Sequence, residues 1–187
     1  MKLRFIQILF ITTAVVLAFT SCKKTNNQEL RDNEKELLKK YIAKYHSDVD
    51  PKPSGLYYIE EVAGDAAKDS IVAGDIVKVF YKGYLIEEND TVGIQDGYQF
   101  DSSGTYEPFT FTVGAGQVIT GWDEAIKYMK DGGKAKWIIP SSLGYGSTTT
   151  GYIPRYSTLV FYVELYKVYR EDDEIPEISK TMRDLIR

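Results

Sequence analysis

The sequence predicts an α+β domain: an antiparallel sheet of about five strands covered by one short helix. Three observations carry this. Five runs rich in β-branched and aromatic residues, several with period-two alternation, are separated by Gly and Asp/Asn clusters. Only one stretch among them, 121–130, has helical spacing. No period of 20–50 residues repeats, so the sheet must bury its apolar face under that helix rather than against a stacked copy.

The elements follow in chain order. Lys2 and Arg4 precede an apolar run, Phe5 to Phe19, broken only by Gln7, Thr12 and Thr13, and followed by "TSC" at 20–22. The run is short for a spanning helix, which needs about 20 apolar residues. It reads as a secretory signal over 1–21. The segment resembles a bacterial lipoprotein signal, which implies that Cys22, the only cysteine in the chain, is lipidated and begins the mature protein. Lipid chains would tie the protein to a membrane without a spanning helix. Lys23 and Lys24 do not resemble an acidic surface-export tag, so the expected location is the cell envelope, on the outer membrane and facing the periplasm.

Residues 22–53 read as a tether with an amphipathic helix. The polar "KKTNNQELRDN" gives way, from about Glu29 to Tyr45, to Leu30, Leu37, Leu38, Tyr41, Ile42 and Tyr45 at mostly helical intervals, and "DPKP" at 50–53 ends the helix. Its apolar stripe could dock on the domain, pair with a second chain or touch lipid. The domain spans 54–170. Its strands are "GLYYIEEV" (55–62), "DIVKVFYKGYLI" (75–86), "YEPFTFTVG" (106–114), "GGKAKWIIP" (132–140) and "STLVFYVELYKVY" (157–169). In the last, Leu159, Phe161, Val163 and Leu165 share a face, but Lys167 comes next, so the strand should leave the core there. In the helix, Trp122, Ile126 and Met129 fall at i, i+4 and i+7, Thr120 is the expected N-cap, and Asp123 and Glu124 suit the first turn. The C-terminal extension, 171–187, carries scattered apolar residues with no assigned function.

Composition removes several function classes. A formal charge of −4 leaves no basic footprint for nucleic acid. The one histidine, His46, is expected to be a solvated residue in the linker region, and no Cys/His set can hold zinc. In "VGAGQVITG" (113–121) Ile119 occupies the place where a dinucleotide loop needs its third glycine. "SSLGYG" (141–146) is not a nucleophile elbow, and a serine triad has no second histidine to use. No metal and no cofactor is expected.

What remains is a set of aromatics near loops with one carboxylate among them. "GDIVKVFYKGYL" (74–85), "YQFDSSG" (98–104), "EPFTFTVG" (107–114), "QVITGWDEAIKYMKDGGKAKWIIPSSLGYG" (117–146) and "IPRYSTLVFYVEL" (153–165), in this order and spacing, resemble the FKBP-type peptidyl-prolyl cis-trans isomerases. The resemblance implies a curved antiparallel sheet wrapped on the short helix, with a shallow apolar cleft between them. It further implies that Tyr81 edges the proline pocket, Phe100 and Phe109 wall it, and Trp122 floors it. Asp101 matches a buried aspartate that orients Tyr81 or Tyr145. Gln117, Val118 and Ile119 match the rim, with the Ile119 N–H bonding a ligand carbonyl. Tyr145 matches a hydroxyl donor, and Ile153 and Phe161 the far side. Tyr81, Asp101 and Tyr145 would be the catalytic set. Partners so implied are proline-containing unfolded or exported polypeptides and macrolide inhibitors.

The chemistry needs no nucleophile. Rotation about X–Pro faces a barrier of about 18–20 kcal/mol because resonance holds the amide planar. An apolar pocket that favours the twisted amide lowers it. A non-catalytic chaperone or binding module using the same cleft is the alternative. The chain departs from the family at "IEENDTVGIQDG" (86–97), longer than the family's turn, at the loop 147–152, and at Arg155.

Overall fold

The computed structural model describes residues 25–170. The signal-like segment, Cys22 and the C-terminal extension lie outside them. In chain order the elements are α1 (Asn26–Tyr45), β1 (Tyr57–Val62), β2 (Ile76–Asn89), β3 (Gly93–Ser102), β4 (Phe109–Thr112), α2 (Thr120–Ala125), β5 (Lys134–Ile139) and β6 (Leu159–Tyr169). Single 3-10 turns follow α2 at Ile126–Tyr128 and β5 at Ser141–Leu143.

The six strands form one antiparallel sheet, ordered β1-β5-β6-β2-β3, with β4 also on β2. β2 is the hub. One edge runs along β6, while the other takes β4 opposite Ile76–Val79 and β3 opposite Lys82–Asn89. Strand alternation sends Val77, Val79, Trp137, Ile139, Leu159 and Phe161 to the face covered by α2, where they pack with Trp122, Ile126 and Met129. Trp137 and Ile126 are fully buried there, and each such side chain contributes about 1.5–3 kcal/mol by leaving water. Ile138, Val160, Tyr84 and Ile86 point the other way, into a second cluster with Tyr41, Leu37, Leu38 and Ile42 of α1.

The structure sharpens four readings of the sequence. The sheet has six strands, because the acidic insertion at 86–97 is the outer half of a β2–β3 hairpin closed at Asn89 and Gly93. α1 docks on the sheet, so the sheet lies between two helices rather than under one. α2 starts one residue earlier than expected: Ile119 is the N-cap and Thr120 the first helical residue, and the helix tightens into a 3-10 turn at Ile126. β6 does not leave the core at Lys167. A bulge opposite Lys78–Val79 inserts an extra residue after Leu165 and resets the alternation, which puts Val168 in the core and Tyr166 and Lys167 outside.

The outer cluster is held by charge as well as by packing. The ammonium of Lys136, on β5, is buried and donates to the Tyr41 hydroxyl at 2.6 Å. It stands over the rings of Tyr162 (4.8 Å) and Tyr41 (5.0 Å), with Asp96 of β3 at 3.7 Å. Tyr41 and Tyr162 both donate to the Asp96 carboxylate. Burial pulls the Lys136 pKa below its ordinary value and pushes those of Tyr41 and Tyr162 up. His46 is not a solvated linker residue: it lies half-buried against the rings of Tyr41 and Tyr45, and burial lowers its pKa.

Candidate active site

On the α2 side the sheet opens into a cavity of about 360 Å³, lined by Tyr81, Phe100, Asp101, Phe109, Gln117, Val118, Ile119, Trp122, Tyr145 and Phe161. Each element brings its part for a local reason. β2 presents Tyr81 inward by alternation, and β3 and β4 place Phe100 and Phe109 on either side of it. Past β4, Gly114 (φ 77°) and Gly116 (φ 68°) adopt a left-handed backbone that suits glycine, folding the chain back as the rim 117–119. The Gln117 side chain fastens that rim by accepting the Thr112 N–H at 2.8 Å. Ile119 then begins α2, its carbonyl taking bonds from Trp122 and Asp123, and its own N–H has no acceptor among the described residues.

Trp122 is the hub of the aromatic set. Its ring meets those of Tyr81 (5.0 Å, 90°), Phe161 (5.1 Å, 89°), Trp137 (5.3 Å, 87°) and Phe109 (6.0 Å, 85°) edge to face, the geometry that ring quadrupoles favour. Phe100 meets Phe161 in the same way at 5.5 Å. At only 4% exposure, Trp122 is as much core as floor. The reason is the packing of Trp137 beneath it and Phe111 beside it.

The polar groups sit at the edge. Tyr81 donates its hydroxyl to Asp101 at 2.7 Å, so the aspartate's partner is Tyr81. Burial, then the bond to Asp101, raises the Tyr81 pKa, and burial followed by the Asp101 charge raises that of Tyr145. Asp101 itself is exposed rather than buried: it sits opposite Gly83 on β3, the edge strand of the sheet. Ile153 is not brought to the cavity: it is buried in the core beyond it and paired with Thr150 across a tight turn. Two residues without an expected role shape the site. Ser103 clasps Tyr81 by accepting its N–H at 3.0 Å through Oγ and donating its own N–H to the Tyr81 carbonyl at 3.1 Å. Gly83 lets Phe100 and Phe161 close over β2, since a Cβ there would lie 2.7 Å from the Phe100 ring and 2.8 Å from that of Phe161. The glycine in "FYKGYL" was the available signal.

An apolar, aromatic-walled cavity between an antiparallel sheet and a short helix, with hydroxyls at its edge, is suited to a small apolar group. The family model for FKBP-type peptidyl-prolyl cis-trans isomerase matches residues 67–166. The chain belongs to that family and is a peptidyl-prolyl cis-trans isomerase. It is 44% identical over 117 residues to an FK506-binding protein of Neisseria meningitidis serogroup C, spanning 62% of this chain and 98% of that one. It is 40% identical over 154 residues to the isomerase FkpA of Escherichia coli K12, covering 80% of this chain and 51% of FkpA. Among solved structures, E. coli FkpA superposes with a TM-score of 0.62 at 34% identity, over 88% of this chain and 71% of that one. A Pseudomonas syringae isomerase gives 0.63 at 28% identity, over 79% and 99%.

Proposed function

We propose that the cavity binds a prolyl ring against Trp122, between Phe100, Phe109 and Phe161, and speeds X–Pro rotation by favouring the twisted amide. The observation that carries this is the lining itself: ten residues, one carboxylate at the margin and no basic side chain. Resonance that costs about 18–20 kcal/mol to break depends on charge separation in the planar amide. A dry aromatic surface solvates that dipole worse than water and the twisted form relatively better. The Ile119 N–H and the Tyr145 hydroxyl hold the chain on the two sides of the bond, and Asp101 orients Tyr81.

A protease-coupled assay on the full-length protein in detergent, with X-Pro peptides, tests the reading. Turnover above background that a macrolide suppresses supports it. No turnover from folded protein, or turnover indifferent to the macrolide, overturns the assignment of this cavity. The signal-like start supports exported polypeptides as substrates and a lipid on Cys22 that holds the protein in the cell envelope, facing the periplasm. Metabolic labelling with a radioactive fatty acid should mark the wild type and not Cys22→Ser, and an unlabelled wild type would sink the anchor.

A further inference from the structure

We propose that Glu34, on the helix outside the isomerase motifs, is a positioning residue for Tyr145 and so sets how well the pocket holds its substrate. The inference rests on the reading of Tyr145 as the pocket's hydroxyl donor. Its ground is a short chain of hydrogen bonds. The Glu34 carboxylate accepts the Ser141 N–H at 2.6 Å and the Ser141 hydroxyl at 2.7 Å, through different oxygens. The Thr158 hydroxyl also donates to it, at 3.1 Å. Ser141 and Thr158 are each 5% exposed, so these are bonds that water cannot readily replace.

Ser141 in turn governs Tyr145 from both sides. Its carbonyl accepts the N–H of Gly144 at 3.0 Å and of Gly146 at 2.9 Å, the two residues that flank the tyrosine. Gly146 then accepts the Tyr156 N–H at 2.7 Å. Tyr156 holds a positive φ of 58°, the one non-glycine residue to do so among those described, and the Arg31 guanidinium stands 5.1 Å from its ring. At the start of α1, Arg155 donates to Asn26 and Asn27 at 3.3 and 3.4 Å. One turn after another, α1 therefore grips both limbs of the loop 140–158 on which Tyr145 rides. A helix that only covered the outer face would need Leu37, Tyr41 and Ile42, but not a carboxylate aimed at the root of this loop.

Glycines flank Tyr145, so its backbone has little stiffness of its own. Released from Glu34, the Ser141 anchor loosens, and the hydroxyl samples positions from which it no longer reaches a ligand carbonyl. The loss belongs to Tyr145, and this separates positioning from stability. A double-mutant cycle on the full-length protein reads it. Glu34→Ala is expected to lower kcat/KM about fivefold, and less than about twofold once Tyr145→Phe has removed the hydroxyl. Glu34→Gln, whose side-chain oxygen still accepts one bond, is expected to lose about twofold in the first background and nothing in the second, and it carries the cycle if Glu34→Ala does not fold. Equal losses in both backgrounds, or none in either, overturn the role of Glu34 while leaving the pocket assignment standing. If Tyr145→Phe turned over like the wild type, the donor reading and this inference would fall together. A wild type without turnover would instead overturn the proposed function.

Discussion

The two faces of the sheet are built from alternate residues of the same strands and solve opposite problems. On the inner face, rings meet edge to face around Trp122, and the polar atoms stand at the margin. On the outer face, Tyr41, Asp96, Lys136 and Tyr162 satisfy one another inside the layer between sheet and helix. A pocket must keep some surface unsatisfied for a ligand, whereas a seam that buries charge must pair that charge. Dispersion and ring quadrupoles are short-ranged and tolerate an empty side. Buried charge does not, because an unpaired ion in such a place costs several kcal/mol.

Substitutions at matched depth on the two faces should therefore fail differently. Trp122→Ala removes the hub of the inner face. It should destabilise by about 4 kcal/mol, as for large-to-small changes in cores, and abolish turnover; the measurement is urea unfolding beside the peptide assay. Asp96→Ala strands Lys136 on the outer face and should cost about 3 kcal/mol, yet leave kcat/KM of the folded protein unchanged. A proportional loss of activity would mean that the faces are not independent. Gly83→Ala forces the Phe100 and Phe161 rings apart; overpacking of this kind costs about 1–3 kcal/mol, and here it should appear chiefly as a raised KM. Tyr81→Phe keeps the ring and loses the bond to Asp101, a change of about 1 kcal/mol that should fall on catalysis more than on the melting temperature.

The smallest effect is on pH. Burial raises the pKa of Tyr41, Tyr81 and Tyr162 and pushes that of Tyr58 up to about 12, all above the ordinary 10.0. Above that ordinary value the folded protein keeps protons that the unfolded chain releases, so stability is whole below it and falls as pH rises through it. Lys136 runs the other way: its folded pKa lies below 10.5, so the cost of holding it charged fades as pH climbs toward that value. Thermal melts in alkaline buffer should fall less steeply for Tyr41→Phe than for wild type. An unchanged slope would mean that the outer seam does not titrate.

The pocket was legible because its residues are aromatics and a carboxylate held at fixed places between recognisable strands, so ten of the eleven residues named for it meet at one cavity. Ile153 is the one that lies outside the cavity lining, and an aliphatic residue beside a loop reads the same whether it faces the cavity or the core behind it. β3 was hidden by Gly93, Asp96, Gly97 and Asp101, residue types with little strand propensity, and forms because its partner β2 is already fixed by β6 and β4. The bulge that returns Val168 to the core leaves no mark in local pattern, since it depends on which residues of β2 lie opposite. The stripe on α1 was plain, but its surface of attachment rests on Asp96 and Lys136, which lie far along the chain and look solvated in isolation.

β2 also imposes a rule of parity. Odd positions, Val77, Val79, Tyr81, Gly83 and Leu85, face the α2 side, where Tyr81 lines the cavity, and even positions, Tyr84 and Ile86 with Phe80 and Lys82, belong to the back of the sheet. The strand thus carries two messages interleaved letter by letter, one for the layer under α2 and one for the layer under α1. A single-residue insertion between Val79 and Tyr81 would exchange the faces of the residues beyond it, and would put Lys82 in the place of Gly83, against the Phe100 and Phe161 rings.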